Sequence, residues 1–402
     1  MSKNLTNEEL VQKAVITADA IASQGRLNAQ QSEKFIDYVV DMSGLKNNAR
    51  VVRVTTDWEI DKIGIGRRAA MPAAEAVNPS GRRGITTSKV TITPKTIIVP
   101  VEIGDEFRQE NIEGESVDDT IIRIFARQLA NDLEELFLSA DILGPAVLEG
   151  DIKDNGSTTL YIKDNYLALM DGWLKLARGA NVYNAAGAGI GPSVFSGMKK
   201  LLPQKFQRNP ADLRFITSTD LEQNYREKVS TRATAAGDSA LHSAQQLTPY
   251  GVRLEGYPLF PFNPTVVQHI TLPAAATTVT LGFMPIVSGS EIVHLQTLDQ
   301  TPTAKLVKDT DYEINYTTGA INAKAGGAIA GGADVKVTYQ ASPQCLLTSY
   351  MNFIVGISKD ITIEKDRDIF KRVNQYAITA KVGCNFEELT ALVFGKNIGE
   401  SV

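Results

Sequence analysis

Val, Ile and Thr alternate with polar residues almost without break from Ile85 to Ile103, the period of two that suits a strand on a pleated, half-exposed surface. Pro94 and Pro100 place that strand at a sheet edge. A return strand is expected over Val51 to Ile65, and Ala69 to Gly81 supplies the small residues, Pro and Gly of a loop tip. The pattern therefore predicts one long hairpin. Ser116-Val-Asp-Asp119 then reads as a helix cap with a carboxylate three residues on, close to a capping box. Val117, Ile121, Ile124, Phe125, Leu129, Leu133, Leu136 and Phe137 follow at helical spacing, predicting a helix to about Ala140.

Two short helices are expected before the hairpin, Asn7 to Ser23 and Asn28 to Met42, ended by Gly25 and Gly44. After the long helix come a helix from about Leu167 to Ala177 and a glycine-rich connector from Gly179 to Gly191. Pro192 then opens a helix from Ser193 to Leu202. A strand at Leu213 to Thr217, a helix from Ser218 to about Lys228 and a strand from Tyr250 to Phe262 continue an α/β layer; Ser230 to Ser239 reads as a polar loop. From about Val266 to Ser342 charge thins out and short strands are expected at Ile270 to Leu281, Glu291 to Leu298, Tyr312 to Tyr316 and Val335 to Tyr339, with a hairpin turn at Tyr316 to Ile321. An all-β module inserted into a loop of the host is the economical reading.

Charge sharpens this picture. Between Asp61 and Pro100 the hairpin carries Lys62, Arg67, Arg68, Arg82, Arg83, Lys89 and Lys95 against Asp61 and Glu75, a local excess of five positive charges. The long helix carries Asp118, Asp119, Asp132, Glu134 and Glu135 against Arg123 and Arg127, an excess of three negative ones. Opposite signs on neighbouring elements invite contact. Exposed ion pairs contribute only about 0 to 1 kcal/mol each, so they orient an arm without holding it. A lone hairpin is also marginal in water, so this arm needs cover from elsewhere.

The remaining chemistry is sparse. A chain of 402 residues has room for two or three domains. Its net charge of −5 disfavours a general nucleic-acid binder, which needs a basic surface to displace counterions. No apolar run approaches a membrane span, and the amino terminus lacks the apolar core of a secretory signal, so the chain is expected in a cytoplasm. Cys345 and Cys384 are too few for a disulfide scaffold and sit in apolar surroundings, as buried thiols do. Gly187 to Gly191 lacks the spacing and the preceding strand of a dinucleotide loop. His242, His269 and His294 show no ligand spacing, and no nucleophile and base signature is present. No catalytic, cofactor-binding or metal residue is assigned, and no enzyme is expected.

The order of parts then becomes informative: an amino-terminal arm, a long hairpin, a capped helix, an α/β layer with a glycine-marked connector, and a β-rich ending. Together with Asn352 to Glu364, Tyr376 to Gly383, Ala391 to Phe394, Leu213 to Ser218 and Gly256 to Leu259, this order resembles the tailed-bacteriophage major capsid proteins of the Hong Kong ninety-seven type. The resemblance implies an α+β capsid fold. Its parts would be arm helices over 1–50, an extended hairpin loop over 51–104, a peripheral domain with a spine helix over 105–190 and an axial domain over 191–265. An inserted β-rich surface domain would occupy 266–342, and closing strands 343–402.

It further implies a structural protein assembling as hexamers and pentamers into an icosahedral shell around double-stranded DNA, which lies close without specific binding. Arg67, Arg68, Arg82 and Arg83 of one copy would meet Asp132, Glu134 and Glu135 of the next. Portal, scaffold and decoration proteins are implied partners, with no membrane, and assembly in the bacterial host cytoplasm. No Lys89 or Lys95 cross-link to Asn374 is assigned. Two rivals stay open: an encapsulin-like nanocompartment shell with the same fold, and a surface-binding protein using the β module on carbohydrate, although Phe283, Tyr312, Tyr316 and Tyr339 make a poor stacking platform.

Overall fold

Thirteen of the last forty residues before the C-terminal tail explain much of the architecture: Val373 to Asn385 alternates buried and half-buried side chains along one strand, so one face is committed to a core and the other is partly covered. The computed structural model describes residues 15–16, 45–53, 58–65, 85–104, 106, 117–146, 164–231, 246–273, 277–295, 305–329 and 331–400. Strands in chain order are β1 (Val15–Ile16), β2 (Arg50–Arg53), β3 (Trp58–Ile65), β4 (Ile85–Ile92), β5 (Lys95–Gly104), β6 (Asn181–Asn184), β7 (Leu213–Ser218), β8 (Arg253–Tyr257), β9 (Thr265–Leu272), β10 (Val279–Thr280), β11 (Ile292–Leu295), β12 (Tyr312–Asn315), β13 (Ala320–Ala323), β14 (Ala333–Gln340), β15 (Cys345–Ser349), β16 (Phe353–Asp368), β17 (Val373–Phe386) and β18 (Val393–Lys396). The helices used below are α1 (Val117–Ser139), α2 (Trp173–Ala177), α3 (Pro192–Leu201) and α4 (Thr219–Ser230).

Two five-stranded sheets form the frame. One runs β1-β5-β17-β16-β2 and the other β6-β18-β15-β7-β8. Only Tyr350–Asn352 separates β15 from β16, so a short turn joins the two sheets. Over the first sheet lies α1, whose Leu129, Leu133, Leu136 and Phe137 are buried in the same core as Phe353, Ile378 and Phe386. The stripe at three- and four-residue spacing is what the sequence periodicity required. Aromatic rings link the layers: Phe137 to Trp173 at 5.6 Å, Trp173 to Phe353 at 4.9 Å and Phe353 to Phe386 at 5.1 Å, separations at which tilted and edge contacts are favourable. The second sheet has its own core, where Phe195 of α3 meets Phe215 of β7 and Tyr225 of α4. The Ser218 hydroxyl accepts from the Leu221 amide and caps α4, as the Ser-Thr-Asp sequence predicts.

Four expectations need correction. The hairpin is shorter than its sequence pattern: only β3 and β4 pair with each other, while β5 pairs antiparallel with β17 and β2 parallel with β16. The change of partner falls at Thr93 and Pro94, where proline offers no amide to continue the ladder. Pro100 is tolerated because, among the described residues, the outer edge of β5 is paired only at Glu102 and Ile103. The expected first helix instead contains the extended residues Val15 and Ile16 alongside β5; the remainder of both arm helices lies outside the described residues.

The helix expected from Leu167 to Ala177 is broken, with a single turn at Leu167–Leu169, extended Met170 and then α2. Last, the β-rich segment does contain two small sheets, β11-β14-β9 and β10-β13-β12, but it is not self-contained. Leu281, Phe283, Val293, Val335 and Val337 belong to the same core as α1 and Trp173. The turn expected near Tyr316 to Ile321 is present between β12 and β13, with Asn315 Oδ1 accepting from the Thr317 and Thr318 amides and Gly319 in the left-handed region.

Candidate assembly surfaces

The features that bear on function are surfaces. Strands β3 and β4 form a two-stranded ribbon that no third strand joins among the described residues, rooted where Ile92 is buried and Asn385 Nδ2 donates to the Thr91 carbonyl at 2.9 Å. Gly383 of β17 makes room for this root, because a Cβ there would stand 3.0 Å from Ile92 Cγ2 and 3.3 Å from the Thr93 carbonyl. Further out, Lys89 pairs with Glu59 at 2.5 Å on an exposed face, and that partner raises the lysine's pKa through the hydrogen bond and the adjacent charge. Arg67, Arg68, Arg82 and Arg83 lie outside the described residues.

The three carboxylates expected to receive them do not form one patch. Glu134 is 1% exposed and faces the interior of the subunit, which removes it from any surface open to a neighbour. Glu135 is exposed. Asp132 is half-buried and takes a hydrogen bond from Gln128 Nε2 at 2.7 Å; burial pushes its carboxyl pKa up against the lowering effect of that bond. The sequence period of α1 alone did not separate these neighbours, since Glu134 lies one position after Leu133 and two before Leu136, within the edge of the apolar stripe.

A surface that pattern reading passed over lies at the turn joining β16 and β17. Ile369 and Phe370 are 75% and 100% exposed, while Asp368 Oδ1 accepts from the Phe370 and Lys371 amides and fixes the turn. Polar residues would satisfy such a turn equally well, so two large apolar side chains there are unexplained by the subunit's own fold.

The thiols of Cys345 and Cys384 are buried and pushed well above the usual range by desolvation, as expected of core cysteines. Among the described residues no group of three His, Cys, Asp or Glu side chains is placed to hold a metal, and no described helix is long and apolar enough to cross a membrane. The glycine-rich connector holds β6 and tight turns, with Gly187 in the left-handed region; a strand therefore does precede Gly187, contrary to expectation, and the Gly-x-Gly-x-x-Gly spacing is what a dinucleotide loop still lacks.

This arrangement, a spine helix over a long-stranded sheet, a second α/β layer and a projecting ribbon, is the Hong Kong ninety-seven-type capsid fold. It is shared with the capsid of a native GTA particle, 12% identical with 94% of this chain and 99% of that one covered at a TM-score of 0.51. It is shared equally with the holo-SrpI encapsulin complex from Synechococcus elongatus PCC 7942, 8% identical with 96% and 97% covered at a TM-score of 0.50. In sequence, the chain is 27% identical over 391 residues to the "Putative prophage capsid protein YqbE" of Bacillus subtilis (strain 168), covering 96% of this chain and 97% of the relative. No family model matches the chain.

Proposed function

We propose that this chain is the major capsid protein of a tailed phage or prophage, assembling as hexamers and pentamers into an icosahedral shell that encloses double-stranded DNA. The observation that carries this reading is the β3–β4 ribbon, a two-stranded element with no third strand among the described residues, in a chain similar along nearly its whole length to a relative named as a prophage capsid protein. A closed ring lets each copy use one patch against a different patch on its neighbour, so a ribbon short of its own cover gains it on the adjacent subunit.

In this reading the basic tip, with Arg67, Arg68, Arg82 and Arg83, lies near Asp132 and Glu135 of the next copy, and Glu134 takes no part. The first sheet and α1 form the peripheral domain, the second sheet the axial domain, and residues 266–342 face outward. Shells form in the host cytoplasm, with portal, scaffold and decoration proteins docking on them. The net charge of −5 suits a wall that encloses DNA without gripping it.

Deletion of residues 69–84 tests this directly. The variant should remain a folded subunit by circular dichroism and fail to form shells in negative-stain micrographs; normal shells would overturn the role of the ribbon. The encapsulin likeness keeps a second reading in view, a nanocompartment enclosing a protein cargo. Nuclease-protected DNA inside purified particles supports the phage reading, and a co-purifying enzyme in DNA-free particles supports the other.

A further inference from the structure

The sheet β9-β14-β11 carries one row that its apolar surroundings do not require. His294 stands opposite Lys336, and Lys336 opposite His269; directly opposed residues of antiparallel strands share a face. His294 and Lys336 are each 1% exposed, and His269 is half-buried. Thr338, two positions beyond Lys336 and so on the same face, accepts from the Ala146 amide at 3.1 Å. The row therefore lies against the segment 140–146 that leaves α1.

On that segment Asp141 is buried and engaged by Lys175 Nζ at 2.5 Å and by Arg178 at 3.7 Å. Asp334 lies along the same strand as Lys336 and accepts from the Thr271 hydroxyl at 2.5 Å. Lys305 bridges to His294 from the other side. Among the described residues the charged groups around the row are thus the cations Lys175, Arg178, Lys305 and Lys336 and the carboxylates Asp141 and Asp334. The imidazoles are the groups there whose ordinary titration falls between pH 5 and 8. Both Nδ1 atoms are buried, and neither has a hydrogen-bond partner among the described residues.

We propose that this row is a proton-operated latch: protonation of His269 and His294 in mild acid drives the β9-β11-β14 sheet off the 140–146 segment, loosening that sheet while the separate core of α3, α4 and β7 stays folded. The inference concerns a single chain and holds whatever that chain assembles into.

Its direction follows from linkage. Burial, then the adjacent Lys336 and Lys305, hold His294 down at about 4, and burial with Lys336 lowers His269 as well. Both groups bind protons more readily once released, so the latch is strongest above the unfolded value near 6.5 and weakens as pH falls toward 4. At pH 5 His294 alone should raise the opening equilibrium by about 20-fold relative to pH 7.

The test is amide hydrogen exchange read by mass spectrometry on the full chain at pH 7.5 and 5.0, with intrinsic exchange rates divided out. Peptides from β9, β11 and β14 should open by more than about tenfold at pH 5.0 relative to pH 7.5, while those from α3 and β7 stay unchanged. The H269Q/H294Q variant should lose this difference. No change in the wild type, a uniform opening of every strand, or an undiminished effect in the double variant would each overturn the latch. If the double variant does not fold, H294Q alone is measured, and persistence of the full pH effect there is equally fatal.

Discussion

Gly172 occupies a tight corner of the larger core. A Cβ built there meets the Ala140 amide nitrogen at 2.8 Å and the Leu138 and Phe137 carbonyl oxygens at 2.9 Å, all backbone atoms at the end of α1 that have no rotamer to retreat into. The close approach brings Trp173 onto Phe137 and lets the indole Nε1 donate to the Asn385 carbonyl at 3.2 Å. Gly172→Ala should therefore destabilise the subunit by about 1–3 kcal/mol, the usual cost of overpacking, seen as a lower urea midpoint with an unchanged slope. The residue scale was only partly legible beforehand. The two cysteines announced themselves as core by their apolar neighbours, whereas nothing local to Gly172 signals that another backbone passes within contact distance. Glu134 erred in the opposite sense, its charge suggesting a surface that tertiary packing covers.

At the scale of elements, local signals served best where they were redundant. For α1, the periodicity and the expected end agree with the helix Val117–Ser139, while its expected cap at Ser116 lies outside the described residues; α4 runs Thr219–Ser230 against an expected Ser218 to about Lys228. The β4–β5 stretch shows the limit of periodicity, since alternation marks an extended chain but not its partner. Ile85 to Ile92 pairs with β3 and Lys95 to Gly104 pairs with β17, a strand more than 250 residues later. Charge on the ribbon also needs scaling. The Lys89–Glu59 pair is exposed, and such pairs contribute little in water. Lys89→Ala is accordingly expected to shift the thermal midpoint of the isolated subunit by less than about 1 °C, measured by scanning calorimetry, because rim charges guide association more than they stabilise a fold.

For the whole molecule, the exposed tip of β16 and β17 separates folding from assembly. Phe370 has no contact to lose within the subunit, being fully exposed, and substitutions of that kind usually stay within about 0.5 kcal/mol. A fully exposed apolar tip gains by burial wherever a neighbouring copy covers it. Phe370→Ser should thus leave the unfolding midpoint unchanged and reduce the fraction of protein sedimenting as shells in velocity ultracentrifugation; unchanged assembly would assign the tip no part in it.

The sequence by itself determined the elements whose reasons are local, namely the periodic spine helix, the alternating strands and the β12–β13 turn, and their order, which was enough to reach the fold. Only the tertiary structure decided which strands pair, which carboxylates of α1 stay accessible, how far the β-rich segment merges with the main core, and that His269, Lys336 and His294 stand in one row. Periodicity and capping act over a few residues, whereas pairing, burial and desolvation depend on what distant chain segments bring to the same place.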